Sequence, residues 1–283
     1  MSESPLIRPV AVVGVPFDAY SSFLRGPALA PARIRETLYC ASGNWSTETG
    51  IDLLASDRWE DQGNFDIAVE DEPLRRIQEA AAGVLAEGKR LVALGGDHSI
   101  SLPLVAAHAA AFGPPAVLHL DAHGDLYDSL DGNPLSHACP FARIMEAGHA
   151  SGLVQVGLRA LTKHQRDQAA RFGVHTLEMR HTSPEAVSRQ LRESLPKTAW
   201  SAGVYLSLDL DVLDPAFAPG VSHHEPGGMT TRELLTIIQD LPVPLLGVDI
   251  VEFNPIRDST GTTAMVAAKM LKEILAKMLQ PGG

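Results

Sequence analysis

Between residues 10 and 278, short apolar and β-branched runs alternate with longer segments of helical character. That alternation restricts the chain to an α/β fold built on a mostly parallel sheet with helices on both faces, a three-layer α/β/α arrangement. Strands are predicted at 10–15, 90–94, 116–120, 153–156, 174–177, 204–208 and 245–249. Helices are predicted at 31–38, 72–87, 99–111, 141–147, 163–172, 184–195, 231–240 and 264–278. Pro31 suits a first helical turn, and Gly88 suits a helix stop. No linker, repeat or low-complexity stretch divides the chain, so residues 1–283 are expected to form a single domain. The acidic stretch at 70–72 reads as a solvated helix start rather than a boundary.

In a sheet of this kind ligands bind beyond the carboxyl ends of the strands, and the unusual residues lie there. The strand at 90–94 runs into Gly95-Gly96-Asp97-His98-Ser99. Alone, a histidine at such a turn reads as structural. The strand at 116–120 runs into Asp121-Ala122-His123-Gly124-Asp125. In extended backbone, positions two apart face one side, so Asp121, His123 and Asp125 are expected to converge if the strand geometry persists. The strand at 204–208 runs into Asp209-Leu210-Asp211, which brings two more acids together by the same period, whereas Asp214-Pro215 reads as a turn. Crowding carboxylates away from water costs several kcal/mol unless cations neutralise them. Two histidines and four aspartates do not describe a structural zinc site. Hard oxygen ligands favour Mn²⁺ or Mg²⁺, and the histidines tilt the choice toward manganese. Four carboxylates suit two divalent ions, which together make a nucleophile of water at neutral pH.

Charge and composition narrow the partners. Acidic residues outnumber basic ones 34 to 23, a formal charge of −11, which argues against a nucleic-acid ligand. It is compatible with a cationic substrate, although acidity more often serves solubility. Cys40 and Cys139 form no CxxC pair and are too few for a disulfide framework. Residues 1–10 hold no apolar signal core, and no run reaches membrane-span length. A soluble cytoplasmic protein with no membrane partner is therefore expected.

GGDHS at 95–99, DAHGD at 121–125 and SLDLD at 207–211 resemble, in order and context, the ureohydrolase family of arginases and agmatinases. The likeness is greatest to the plant-type arginase branch, through SSFLRGPALAPARIRE at 21–36, NPLSHACPFARIME at 133–146, LDPAFAPGVSHHEPGG at 213–228 and DIVEFNPIRD at 249–258. The resemblance implies the arginase-like fold and two manganese ions per chain. Position by position, it implies that His98 and Asp125 hold one ion, that His123 and Asp211 hold the other, and that Asp121 and Asp209 bridge them. It further implies that His137 shuttles a proton, that Asp125 orients the nucleophile, and that Glu252 clamps the guanidinium. Asp249, in the same strand end, is expected to support the site from behind. Asn133 and Ser136 are expected on the loop that meets the far end of the substrate, and His223, His224 and Glu225 form a second candidate rim. His224 stands where an apolar residue is expected, and Gly124 and Cys139 also depart from the branch pattern. The changes at 224 and 139 bear on side-chain specificity.

The implied reaction is hydrolysis of L-arginine to L-ornithine and urea. Agmatinase, or hydrolysis of another small cationic guanidino compound, is the nearest rival. A catalytically silent subunit is the non-enzyme alternative, and intact ligands at all six positions speak against it. The motif order does not fit a metallophosphoesterase, and no GxGxxG follows the first strand as a dinucleotide-binding protein would need. The resemblance also implies a homotrimer or a pair of trimers. The lack of a plant-type leader points to a bacterial-type cytoplasmic enzyme.

Overall fold

The computed structural model describes residues 4–67, 72–197 and 199–280. The chain runs β1 (Val10–Gly14), α1 (Ala30–Leu38), β2 (Trp59–Asn64), α2 (Pro73–Ala86), β3 (Arg90–Leu94), α3 (Ser101–Phe112), β4 (Ala116–Leu120), α4 (Pro140–Glu146), β5 (Gly152–Leu158) and α5 (Lys163–Phe172). It continues through β6 (His175–Glu178), α6 (Pro184–Ser194), the short α7 (Ala199–Ala202), β7 (Val204–Asp209), α8 (Thr231–Gln239), β8 (Leu245–Val251) and α9 (Thr262–Leu279). The strands form one sheet in the order β2-β1-β3-β8-β7-β4-β5-β6. Every pairing in it is parallel, so the expected mostly parallel sheet is wholly parallel.

The two-residue period of the strands sorts side chains into two cores. Val10, Val12, Val92, Leu94, Leu118, Leu206 and Leu208 pack with α1, α6, α8 and α9 on one face. Ala11, Val13, Leu91, Ala93, Val117 and Tyr205 pack with α2, α3, α4 and α5 on the other. Both faces of β3, β4, β7 and β8 are buried, which explains their unbroken apolar runs.

The strand β2 escapes the sequence pattern. It reads Trp-Glu-Asp-Gln-Gly-Asn, lies at the sheet edge and is largely exposed. An edge strand carries charge because charge discourages pairing with other chains. Of the acidic stretch 70–72, Glu72 precedes α2, and residues 70 and 71 lie outside the described residues. Among the described residues no helix is long and apolar enough to cross a membrane.

Candidate metal centre and active site

The site lies at the carboxyl ends of four adjacent central strands, β3, β8, β7 and β4. Beyond β3 the backbone turns through Gly95 and Gly96. A Cβ at Gly96 would lie 1.7 Å from the Phe17 carbonyl oxygen, so only glycine lets the two segments meet. Asp97 accepts from Ser99 N at 3.1 Å and Tyr20 N at 3.0 Å, which ties the 18–22 loop to the start of the helical turn bearing His98.

Beyond β4 the extended geometry does not persist. Asp121 accepts from His123 N at 2.6 Å, and Asp125 sits in the left-handed region at φ 48°. The three residues converge through a turn rather than by strand alternation. Asp209 closes β7, while Asp211 lies in a 3-10 turn whose N–H donates to Asp209 Oδ1 at 2.7 Å. Glu252, just past β8, is also left-handed at φ 61°. Such backbone costs about 1–3 kcal/mol at a non-glycine residue and persists only where the surroundings enforce it.

These turns bring all six expected ligands together. His98 Nδ1 lies 3.0 Å from Asp125, 3.2 Å from Asp121 and 3.2 Å from Asp209. His123 Nδ1 lies 2.9 Å from Asp211 and 3.4 Å from Asp121. Asp121 is common to both groups. The tautomer of His98 follows from its neighbours. Ser207 Oγ donates to Asp249 Oδ1 at 2.6 Å and has one hydrogen only. It therefore accepts from His98 Nε2 at 2.9 Å, which leaves Nδ1 bare. That buried atom has no hydrogen-bond partner, and a lone pair facing three carboxylates fits a cation. Tyr205 and Ser101 also donate to Asp249, which places Asp249 behind Ser207 and His98.

The electrostatics agree. Burial, and then the neighbouring Asp211 and Asp121, push the Asp209 carboxyl well above its ordinary range. Burial and Asp121 raise Asp211 to about 6. Burial opposes charge on the His98 ring, yet Asp121, Asp125 and Asp209 raise its proton affinity well above normal. The field that would draw a proton there draws a cation.

A cavity of about 190 Å³ opens beside this cluster. His123, Asp125, Asp209, Asp211, His137 and Glu252 line it, together with Ser22, Tyr127, Leu130, Ala138, Ala160, Gln165 and His223. Glu252 Oε1 accepts from His98 N at 2.8 Å and bonds His137 Nδ1 at 2.7 Å. Ser22 N donates to His137 Nε2 at 3.1 Å, and Ser22 Oγ lies 2.7 Å from the same atom. Burial opposes the imidazolium of His137, but Glu252, aided by Asp97 and Asp125, lifts its pKa to about 9.

The structure does not bring Asn133, Ser136 or His224 to the cavity wall. Asn133 Oδ1 accepts from Leu135 N, and Ser136 Oγ from Ala138 N, so each stabilises its own turn. His224 is exposed and bonds the Pro219 carbonyl at 2.8 Å, leaving His223 as the histidine on the wall. Cys139 is fully buried before α4 and is not part of the wall either. Sequence reasoning missed Ser22, Tyr127 and Gln165. For Gln165 a signal existed and pointed elsewhere: Thr162-x-x-Gln165 reads as a capping box. Thr162 does cap α5, accepting from Gln165 N, but the Gln165 side chain lies at the cavity with Oε1 buried and unpartnered.

A parallel α/β sheet whose carboxyl edge gathers two histidines and four aspartates beside a small cavity defines a hydrolytic enzyme that works with paired metal cations. A family model described as the Arginase family matches residues 8–276. Arginase 1, mitochondrial, of rice (Oryza sativa subsp. japonica) is 49% identical over 277 residues, covering 94% of this chain and 81% of the relative. The agmatinase of Bacillus anthracis is 32% identical over 272 residues, covering 94% and 90%. Among solved structures, arginase from Medicago truncatula matches with a TM-score of 0.88 at 44% identity, covering 96% of this chain and 88% of that one. The chain belongs to the arginase family and is a ureohydrolase.

The expected cytoplasmic location does not stand. The rice relative is named a mitochondrial protein, and such names point to an organelle. The composition of a folded domain does not separate the two compartments, because addresses are read from segments outside the fold.

Proposed function

We propose that the enzyme hydrolyses L-arginine to L-ornithine and urea, acting as a single unit with two manganese ions. The observation that carries the choice of substrate is the 49% identity to a rice arginase against 32% to a bacterial agmatinase. The bare His98 Nδ1 among three carboxylates supports the metal centre, and a donor set of imidazole and carboxylate suits manganese. His98 and Asp125 would hold one ion, His123 and Asp211 the other, with Asp121 and Asp209 between them. When bound, such cations supply Lewis acidity and a water ionised near neutral pH.

The chain's own residues do the rest. Glu252 presents its second carboxylate oxygen, which makes no hydrogen bond among the described residues, to the N–H groups of the planar guanidinium. Asp125 accepts a hydrogen from the attacking water and fixes its direction. His137, charged below about pH 9 in the metal-free site, donates the proton that the leaving amine needs. Its Nδ1–H stays on Glu252, while Ser22 N–H and Oγ hold the Nε2 edge of the ring, which accepts when it carries no proton. At the far end of the substrate, Gln165 Oε1 accepts from an ammonium group, with Tyr127 and His223 beside it.

The test is urea release from purified, manganese-loaded enzyme across a panel of guanidino compounds. Turnover of arginine is expected, and activity on agmatine alone would remove the arginine assignment. Agmatine remains the second reading because its ammonium matches the α-ammonium of arginine, and no lysine or arginine lines the cavity among the described residues. A homotrimer or hexamer is proposed for the assembly, to be read by sedimentation velocity.

A further inference from the structure

Two buried side chains behind the metal ligands have no part in the reaction above. His119 lies in β4 and Gln155 in β5, directly opposite each other in the parallel register, and both are fully buried. Chemistry orients the Gln155 amide. Its Nε2 lies 2.6 Å from the Gly124 carbonyl oxygen, which can only accept, so that atom must be the nitrogen. The second amide hydrogen points to His119 Nδ1 at 3.0 Å. Nδ1 is therefore the acceptor of the ring, and the ring hydrogen sits on Nε2, 2.7 Å from Asp121 Oδ2. Phe141 stacks on the His119 ring at 3.9 Å between centroids and 27° between planes, which holds the imidazole in place.

Asp121 is the carboxylate that both ligand groups share. Its Oδ2 faces His98 and its Oδ1 faces His123. Rotation of that carboxylate would spoil both halves of the centre at once. We propose that Gln155 and His119 form a positioning relay for the metal pair. The strand amide fixes the tautomer of His119, and His119 fixes the rotation of Asp121. The same amide pins the Gly124 carbonyl, and with it the turn that carries His123 and Asp125. Packing alone does not account for the pair, because Gln155 Oε1 is buried without a partner, and an apolar residue there would avoid that cost. Outer partners of this kind orient ligands, and their loss weakens metal binding by about 10–100-fold.

The relay rests on the metal reading of the site, and the experiment separates the two. Mn²⁺ binding is measured by equilibrium dialysis, and thermal unfolding is followed with and without Mn²⁺. Three variants are compared with wild type: His119→Phe, which keeps the stacking and loses the donor; His119→Gln, which keeps a donor toward Asp121; and Gln155→Leu. His119→Phe is expected to weaken Mn²⁺ binding about 10–100-fold and to remove most of the rise in Tm that Mn²⁺ produces. Its Tm in chelator is expected to stay at or above wild type. His119→Gln should recover most of the affinity, and Gln155→Leu should lose part of it. Wild-type affinity in both His119→Phe and Gln155→Leu, or an equal drop in Tm with and without Mn²⁺, overturns the relay. If wild type itself takes up no Mn²⁺, the metal reading fails and the relay falls with it.

Discussion

His108 offers a quantitative test of how burial sets charge in this fold. It lies in α3 and is fully buried. Its Nδ1 donates to the Leu104 carbonyl at 2.8 Å, and its Nε2 has no partner. The ring lies so close to β8 that a Cβ on Gly247 would approach Nε2 to 2.2 Å. A proton on Nε2 would create an unpaired charge in the core, and burial, only partly offset by the Leu104 carbonyl, lowers the pKa to about 4. The ordinary value is 6.5, so well above that pH both states are neutral and the residue has little effect. As pH falls below 6.5 the unfolded chain takes up a proton that the native state refuses, and stability is lost until pH reaches about 4. The full loss follows from the gap between 6.5 and about 4, at about 1.4 kcal/mol per pH unit, or roughly 3 kcal/mol. At pH 5 the linkage relation gives about 2 kcal/mol of that loss, and almost none at pH 7. Urea unfolding of the metal-free protein at those two pH values, for wild type and His108→Leu, reads the quantity directly. Wild type should lose about 2 kcal/mol more than the variant between pH 7 and pH 5. A gap below about 0.5 kcal/mol would show that His108 is not held neutral by burial.

Three further outcomes are expected at the site. Asp249→Asn removes the anion that Ser207, Ser101 and Tyr205 address, loosens the tautomer of His98, and should raise the Mn²⁺ dissociation constant about 10-fold or more in a metal-binding titration. Gln165→Leu should lower kcat/KM for arginine and agmatine by a similar factor, about 10–150-fold for one lost hydrogen bond to a charged group, and leave 5-guanidinopentanoate, which has no ammonium, unchanged. Glu252→Gln should lower the titration of His137 in the metal-free protein, followed by NMR, from about 9 toward the ordinary histidine value, because burial is then opposed only by the weaker pull of Asp97 and Asp125. In the metal-free wild type, that ion pair contributes stability which is fully present below pH 6.5 and lost as pH rises through about 9.

The sheet was legible because fully buried parallel strands must be apolar throughout, so each charged residue at a strand end marks where the chain leaves the core. Asp121 and Asp209 are visible in this way. Asp125 and Asp211 do lie beside the other four residues, but turns deliver them where strand alternation was expected. The left-handed backbone at Asp125 and Glu252 has no sequence signal at all, because neither residue type demands it and the surrounding contacts impose it. The adjacent His223 and His224 lie on an irregular loop with no periodicity to say which faces inward. The Pro219 carbonyl decides it by holding His224 outside. The edge strand β2 was missed for the opposite reason: with one side open to water it had no apolar run to show.

The places where local rules fail cluster around one point. Four non-glycine residues have positive φ among those described, and two of them, Asp125 and Glu252, face the cavity. Among the described residues five buried side-chain atoms lack a hydrogen-bond partner, and three of them belong to His98, Gln155 and Gln165, in the site or directly behind it. At about 1–3 kcal/mol for each strained or unpaired group, five such features amount to roughly 5–15 kcal/mol, as much as the whole net stability of an ordinary domain. A core assembled for stability alone would not keep them. On the proposed reading, cations at His98 and a substrate ammonium at Gln165 would convert two of these liabilities into bonds. The metal-free enzyme should therefore be the less stable form by the free energy of metal binding, with its weakness concentrated in the turns after β3, β4 and β7. Hydrogen exchange with and without Mn²⁺ should show protection gained there first, and uniform protection across the sheet would contradict this account of where the strain resides.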